Sequence, residues 1–265
     1  MRTVCIIPAR YASTRYPGKP LAELRGATGI SRSLIERSWL AAQEVQGIDA
    51  VYVATDDDRI RDAAEGFGAE VLMTSDTCGN GTERCAEALE QLGEVDMVVN
   101  LQGDAPLTPA WFLEDLIAGL RAAPEAALAT PVLRCDGETH SALMADRHAG
   151  RVGGTTAVFD ADHHALYFSK EVIPYTGRIY QRDEETPVFH HVGVYAYRPD
   201  ALAAYPSWPV GALETLEGLE QLRFLEAGHK VLCVEVEARG RKFWELNNPE
   251  DVPRIETMLA EMGVP

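Results

Sequence analysis

The chain reads as an α/β protein: a mostly parallel, doubly wound sheet that carries a smaller antiparallel hairpin lobe. Three observations predict this. Short, mostly apolar runs without alternation, at 4–7, 51–55 and 98–101, alternate with stretches of helical periodicity. Strands of a parallel sheet look like this because helices cover both of its faces. Beyond about residue 134 the alternation stops, and Thr155–Phe159 and Ala165–Ser169 flank a polar loop, which is the pattern of an antiparallel hairpin. Lastly, the first apolar run leaves into a segment punctuated by Pro8, Pro17, Gly18 and Pro20, which excludes a helix or an inner strand there.

That first loop is where the chemistry is expected. It carries Arg10, Arg15 and Lys19, and no acid appears before Glu23, in a chain of net charge −17. Cations, backbone N–H groups and the small residues Ser13 and Gly18 are what a polyphosphate needs.

The other elements follow in order. Ser31 is expected to cap a helix to about residue 45, with Leu34, Ile35, Trp39 and Ala42 on its apolar face. Asp57 or Asp58 caps a helix bearing Ile60, Ala63, Ala64 and Phe67. A short strand at 71–73 and a helix over 82–92 come next. The strand at 98–101 leaves into Gln102-Gly103-Asp104, Pro109 opens a helix to about residue 120, and 128–132 is a strand. Past the hairpin, 179–186 is a polar loop and 191–197 a strand with a glycine inside it. An amphipathic helix over 216–227, a strand at 231–236 and a helix over 249–262 complete the chain. We expect a single domain over 1–265, with residues of about 135–200 inserted as a lobe.

Composition narrows the function. A hydrophobic content of 46% and 25% charged residues suit an ordinary globular core. No apolar run reaches the ~18–20 residues of a membrane span, and the chain enters a strand at once, so neither membrane nor signal peptide is expected. The acidic balance, with pI near 4.8, argues against nucleic acid as a partner. Five cysteines without C-x-x-C spacing suit free thiols in a reducing cytoplasm.

In an open parallel sheet, ligands sit at the carboxyl ends of strands. Asp104 stands just past one such end. A carboxylate facing a basic phosphate loop suits Mg²⁺, which takes one or two carboxylates together with phosphate oxygens.

The run from Pro8 to Leu21, Pro-Ala-Arg-Tyr-Ala-Ser-Thr-Arg-Tyr-Pro-Gly-Lys-Pro-Leu, resembles the opening signature of the sugar-acid cytidylyltransferases, those of 3-deoxy-manno-octulosonate (KDO) in particular. Four further stretches agree in order. Gly81-Thr82-Glu83-Arg84 resembles the family's nucleotide-contacting Ser-Gly-Thr-Asp/Glu-Arg, with Asn80 and Cys78 where Ser and His are common. Leu101-Gln102-Gly103-Asp104-Ala105-Pro106 resembles Gln-Gly-Asp-Glu-Pro, with Ala105 in place of the glutamate. Tyr167-Phe168-Ser169-Lys170 followed by Ile173-Pro174 resembles the hairpin that forms the family's homodimer. His191-Val192-Gly193-Val194-Tyr195-Ala196-Tyr197-Arg198 resembles the strand of its sugar-acid pocket, preceded by His190 where Arg is frequent.

The resemblance therefore implies a Rossmann-like sheet of the nucleotidyltransferase type, and an enzyme that joins CMP from CTP to a sugar acid, KDO first, as a step of lipopolysaccharide biosynthesis. It implies Arg10, Lys19 and Asp104 as catalytic residues. Pro8, Ala9, Ser13, Arg15, Asn80, Gly81, Arg84 and Gln102 would join Arg10 and Lys19 on the nucleotide. His191, Tyr195, Glu220 and Gln221 would hold the acceptor. Mg²⁺ would sit on Asp104, and Asn247 occupies the place of the family's second metal carboxylate. The partners implied are CTP, a small sugar acid and a second copy of the chain. Two other readings stay open: cytidylyl transfer to a nonulosonic acid, an amino-sugar acid or a phosphonate, and a nucleotide-binding protein with impaired turnover.

Overall fold

The computed structural model describes residues 1–12, 16–152, 154–241, 246 and 248–265. It divides into two compact units, residues 1–114 with 240–265, and residues 115–239. In chain order the first unit holds β1 (Thr3–Ala9), β2 (Glu23–Arg25), β3 (Ser31–Ser33), α1 (Leu34–Gln43) and β4 (Ala50–Thr55). It continues with α2 (Asp58–Gly66), β5 (Glu70–Met73), α3 (Gly81–Leu89), β6 (Met97–Leu101) and the start of α4 (Ala110–Ala122). The second unit holds β7 (Ala126–Asp136), α5 (Gly137–His148), β8 (Thr155–Phe159), β9 (Ala165–Ser169), β10 (Glu185–His191) and β11 (Val194–Tyr197). Then come α6 (Pro199–Ala204), α7 (Ala212–Glu217), α8 (Leu222–Glu226) and β12 (Lys230–Glu235). The chain returns to the first unit with α9 (Val252–Glu261).

In the first unit the strands run in the order β5-β4-β1-β6, all parallel. Every residue of β1 is buried. That is why Val4 to Ile7 are apolar on both faces and show no alternation. Asp57 caps α2 as expected, its carboxylate accepting from the Arg59 amide at 2.9 Å. The cap of α1 is Ser33, two residues later than expected, with its hydroxyl accepting from the Glu36 amide at 3.3 Å. Ser31 instead belongs to β3, which pairs antiparallel with β2. A serine can cap a helix or lie in a short edge strand, and here the pairing with β2 decides.

A hydrophobic core of this unit gathers Leu24, Leu34, Leu107, Leu246, Ile255, Met258 and Leu259. Arg37 is buried beside it and donates to the Leu24 and Pro265 carbonyls at 2.8 Å each. The chain's last residues are thereby tied to α1. Burial pushes the Arg37 pKa down, with the charge of Arg32 adding to the effect.

The second unit is a mixed sheet built on the long strand β7. Val132 pairs with His191 and with Glu235, and Leu128 with Tyr197 and with Val231. So β10 and β11 lie antiparallel along one edge of β7, and β12 lies parallel along the other. The expected strand over 191–197 is thus two strands, broken at Val192 and Gly193. Hairpin β8–β9 forms with the expected limits. The expected polar loop ends where β10 begins, at Glu185.

The helix expected over 216–227 is also two. Gly218 takes a left-handed conformation, φ 61°, and its amide closes α7 on the Glu214 carbonyl at 2.7 Å. Glycine adopts that conformation without strain, which makes it a stop. Glu220 and Gln221 consequently stand between α7 and α8.

Candidate active site

The first group of candidate residues lies at the carboxyl ends of β1 and β6, where a parallel sheet presents loops to ligands. Gly103 passes close against the end of β1, and a Cβ there would stand 2.9 Å from the Pro8 carbonyl oxygen. Gly81, the first residue of α3, is equally confined, since a Cβ would meet the Gln102 amide at 3.0 Å and Pro8 Cγ at 3.3 Å. Pro8, Gly81, Gln102 and Gly103 therefore form one wall, far apart in sequence but in contact. Ser38 of α1 steadies it by donating to the Gly103 carbonyl at 3.1 Å.

Asn80 caps α3, its side-chain oxygen accepting from the Glu83 amide at 2.8 Å. This orients a helix N-terminus, whose partial positive charge favours phosphate.

The basic loop starts from this wall. The Gly18 amide donates to the Tyr11 carbonyl at 2.9 Å and closes the loop, with Gly18 left-handed at φ 71°. Arg59 lies over the Tyr11 ring, 3.3 Å from its centroid, and pairs with Asp57 at 2.6 Å. Arg10 is exposed and has no ion-pair partner among the described residues. Ser13 and Arg15 lie outside the described residues.

Lys19, at the start of a single 3-10 turn, reaches across to Asp104. Its Nζ donates to Oδ2 at 2.7 Å, with side chains 16% and 27% exposed. The Leu246 amide donates to the Asp104 carbonyl at 3.0 Å, which sets Leu246 beside it. Asn247 itself lies outside the described residues.

Taken alone, Arg84 reads as a solvated helix residue, but it is buried, with its side chain 3% exposed. Its guanidinium contacts the Thr74 hydroxyl and stands 3.5 Å from Asp56. This is the bonding of a group that braces α3 against the end of β4. Its periodicity within α3 could have flagged the burial, because Cys85 and Ala88 on the same helix are apolar and buried.

The second group lies wholly within the second unit. His191, 6% exposed, ends β10. Its ring meets Phe168 edge-on at 4.9 Å between centroids and Tyr195 at 5.8 Å. Its Nε2 is 2.8 Å from Thr130 Oγ1. Burial, reinforced by His190, pushes the His191 pKa down to about 3, so the imidazole is neutral. The Tyr195 hydroxyl donates to Gln221 Oε1 at 3.0 Å. Gln221 Nε2 is buried without a hydrogen-bond partner among the described residues. A buried donor left unpaired costs about 1–3 kcal/mol, which a ligand oxygen would recover.

Glu220 supplies a backbone carbonyl to the Tyr205 hydroxyl at 3.2 Å. The buried pair Arg223–Glu214, at 2.7 Å, locks α7 to α8 and holds Gln221 between them. Thr130 was missed by the sequence reading, although a hydroxyl in the otherwise apolar run 128–132 was its signal.

Among the described residues, one cluster has metal-ligand geometry, Asp160, Asp162 and His164. Asp160 Oδ1 already accepts from the Asp162 and His164 amides at 3.0 and 2.8 Å, so the cluster is a hairpin turn.

Compared with proteins of known function, this chain is similar to cytidylyltransferases over its whole length. It is 43% identical over 264 residues, covering 99% of both chains, to the 3-deoxy-manno-octulosonate cytidylyltransferase of Maricaulis maris. It is 40% identical, over 98% of this chain and 99% of the relative, to the 8-amino-3,8-dideoxy-manno-octulosonate cytidylyltransferase of Shewanella frigidimarina. Among solved structures, a CMP:2-keto-3-deoxy-manno-octonic acid synthetase complexed with CTP superposes with TM-score 0.84 at 31% identity, covering 99% of this chain and 100% of that one. The fold alone extends to a 4-diphosphocytidyl-2C-methyl-D-erythritol synthase from Anaerococcus prevotii, at TM-score 0.60 and 14% identity. The family model described as Cytidylyltransferase matches residues 4–231, a span that takes in both groups of residues, and the chain belongs to that family.

Proposed function

We propose that the chain transfers CMP from CTP to the anomeric hydroxyl of KDO and releases pyrophosphate. The observation that carries this reading is the meeting of Lys19 with Asp104 at two strand exits, in a chain 43% identical to a KDO cytidylyltransferase over its full length. The acceptor oxygen forms a bond to the α-phosphorus. The bond from that phosphorus to the bridging oxygen of the β-phosphate breaks, and the hydroxyl proton leaves to solvent. Such transfers depend on positioning and charge neutralisation, so no side-chain nucleophile is required.

Lys19 and Arg10 neutralise the phosphates and the departing pyrophosphate. The wall of Pro8, Gly81 and Gln102, with Ala9 beside Pro8, receives the nucleotide, with Ser13, Arg15, Asn80 and Arg84 completing or bracing its pocket. His191, Tyr195, Glu220 and Gln221 receive the sugar acid, in the lobe that we place at about 135–200 and the helices after it.

Mg²⁺ fits the donor set in one respect, since Asp104 offers a hard anionic oxygen beside a phosphate loop, and a single carboxylate with phosphate oxygens is a common Mg²⁺ environment. Asp104 would hold it, and Asn247, at the place of the family's second metal carboxylate, would contribute a carbonyl oxygen. When bound, the ion supplies charge neutralisation on the phosphates.

We place the chain in the cytoplasm. No helix among the described residues is long and apolar enough to cross a membrane. The cysteines are free and four are buried, as in a reducing compartment. We also propose a homodimer through the hairpin lobe, where Tyr175 (95% exposed), Ile179 and Leu166 leave apolar surface to cover.

The test is pyrophosphate release from CTP with KDO, its 8-amino analogue, a nonulosonic acid and a phosphonate. Turnover is expected to be highest with KDO. The 8-amino analogue is the second reading, because relatives named for it are 40–41% identical. CTP binding without pyrophosphate release for any acceptor would sink both.

A further inference from the structure

We propose that Thr130 is a positioning residue for the acceptor site, holding His191 as its Nε2–H tautomer so that Nδ1 accepts a hydrogen bond from a hydroxyl of the sugar acid. This deepens the functional reading above and rests on it.

A count of protons fixes the tautomer. Thr130 Oγ1 stands 2.9 Å from the Val194 carbonyl oxygen, 3.2 Å from the Val192 carbonyl oxygen and 2.8 Å from His191 Nε2. A hydroxyl has one proton, and the two carbonyls can only accept. If Nε2 were the unprotonated nitrogen, it would take that proton, and both carbonyls would face bare lone pairs of Oγ1. With the proton directed to the carbonyls, Oγ1 offers Nε2 a lone pair, and Nε2 must carry its own hydrogen.

The break between β10 and β11 creates this arrangement. In an unbroken strand the Val192 and Val194 carbonyls would not both converge on one β7 side chain. The ring is walled by Phe168 and Tyr195. Neutral in that setting, it keeps Nδ1 as an acceptor, and Nδ1 has no hydrogen-bond partner among the described residues. Gln221 Nε2, held through Tyr195, is an unpaired donor of the same unit. One acceptor and one donor suit a neutral hydroxyl. A cationic clamp for a carboxylate would need a charge that this imidazole lacks.

The test is nitrogen NMR of the full-length chain labelled with ¹⁵N-histidine. His191→Gln identifies its signals among the seven histidines. The expected parent spectrum has a protonated Nε2 and a bare Nδ1 at neutral pH. Thr130→Val should mix or reverse the tautomers and raise the KM for KDO roughly fivefold to tenfold, the loss of one hydrogen bond. It should leave the KM for CTP unchanged. Thr130→Ser, which keeps the oxygen, should restore both tautomer and KM. A parent His191 that is protonated at Nδ1 or cationic overturns the proposal, even if Thr130→Val does not fold. So does a folded Thr130→Val with parental tautomer and KM. Absence of turnover in the parent itself, with every acceptor, condemns the functional reading and is seen separately from the tautomer.

Discussion

Lys19 Nζ lies 2.7 Å from Asp104 Oδ2, a contact that joins the basic loop after β1 to the exit of β6. Each side chain holds the other at the strand exits, where we propose that the nucleotide's phosphates bind. Both are partly exposed, so the pair adds little to stability. Lys19→Ala is expected to lower turnover by about two orders of magnitude, the scale of ~3 kcal/mol for one transition-state charge contact. Its thermal midpoint should stay near that of the parent. A well-folded variant with parental turnover would remove Lys19 from the site.

Asp104→Asn should abolish metal-dependent pyrophosphate release and leave the fold intact, because the residue sits at a strand exit and its backbone bond to Leu246 is untouched. Circular dichroism checks the fold and a Mg²⁺ titration the activity. Near-parental activity recovered at modestly higher Mg²⁺ would count against Asp104 as the main metal ligand.

Arg84 differs from Lys19, since it is buried against Asp56 and Thr74. Arg84→Ala leaves Asp56 beside a cavity without its cation. Removing one partner of a buried pair costs about 3–5 kcal/mol, which is a large share of a domain's stability. Urea denaturation should show a loss of that order. A variant as stable as the parent, yet with weakened CTP binding, would show instead that Arg84 serves the nucleotide directly.

His191 sets a pH dependence of stability. Its folded pKa is depressed from 6.5 to about 3, so between those values the unfolded chain binds a proton that the folded chain refuses. Stability must therefore fall as pH is lowered through that window, and the contribution is fully present above it. At pH 5 the loss from this residue is roughly 2 kcal/mol. Denaturation of parent and His191→Gln at pH 7 and pH 5 measures it, and the parent should lose more. Equal losses would mean that His191 is not buried as a neutral ring.

Asn247→Asp should lower the Mg²⁺ concentration needed for half-maximal pyrophosphate release. The neighbouring Leu246 amide is bonded to Asp104, and a carboxylate is a stronger Mg²⁺ ligand than an amide oxygen. With Asn247 in place, Mg²⁺ should bind weakly until CTP supplies phosphates. An unchanged or higher requirement in the variant would mean that position 247 does not serve the metal.

The sequence by itself determined the elements whose causes are local. Runs buried on both faces, such as those of β1 and β6, are mostly apolar, and the caps Asp57 and Asn80 act within three residues of themselves. The hairpin at 155–169 was legible for the same reason, and so was the basic loop, because three cations without an acid stand out in an acidic chain. What only the tertiary structure decided rests on distant partners. Ser31 became a strand because β2 lies beside it. The expected strand over 191–197 split because Val192 and Val194 turn their carbonyls to Thr130, some 60 positions earlier. Arg84 is buried because Asp56 and Thr74 meet it there, and Lys19 finds Asp104 across 85 residues. A periodic pattern records which face of an element is buried. It does not record which side chain from elsewhere stands against that face, and in this chain those encounters set the tautomer of a histidine, the pairing of a lysine and the burial of an arginine.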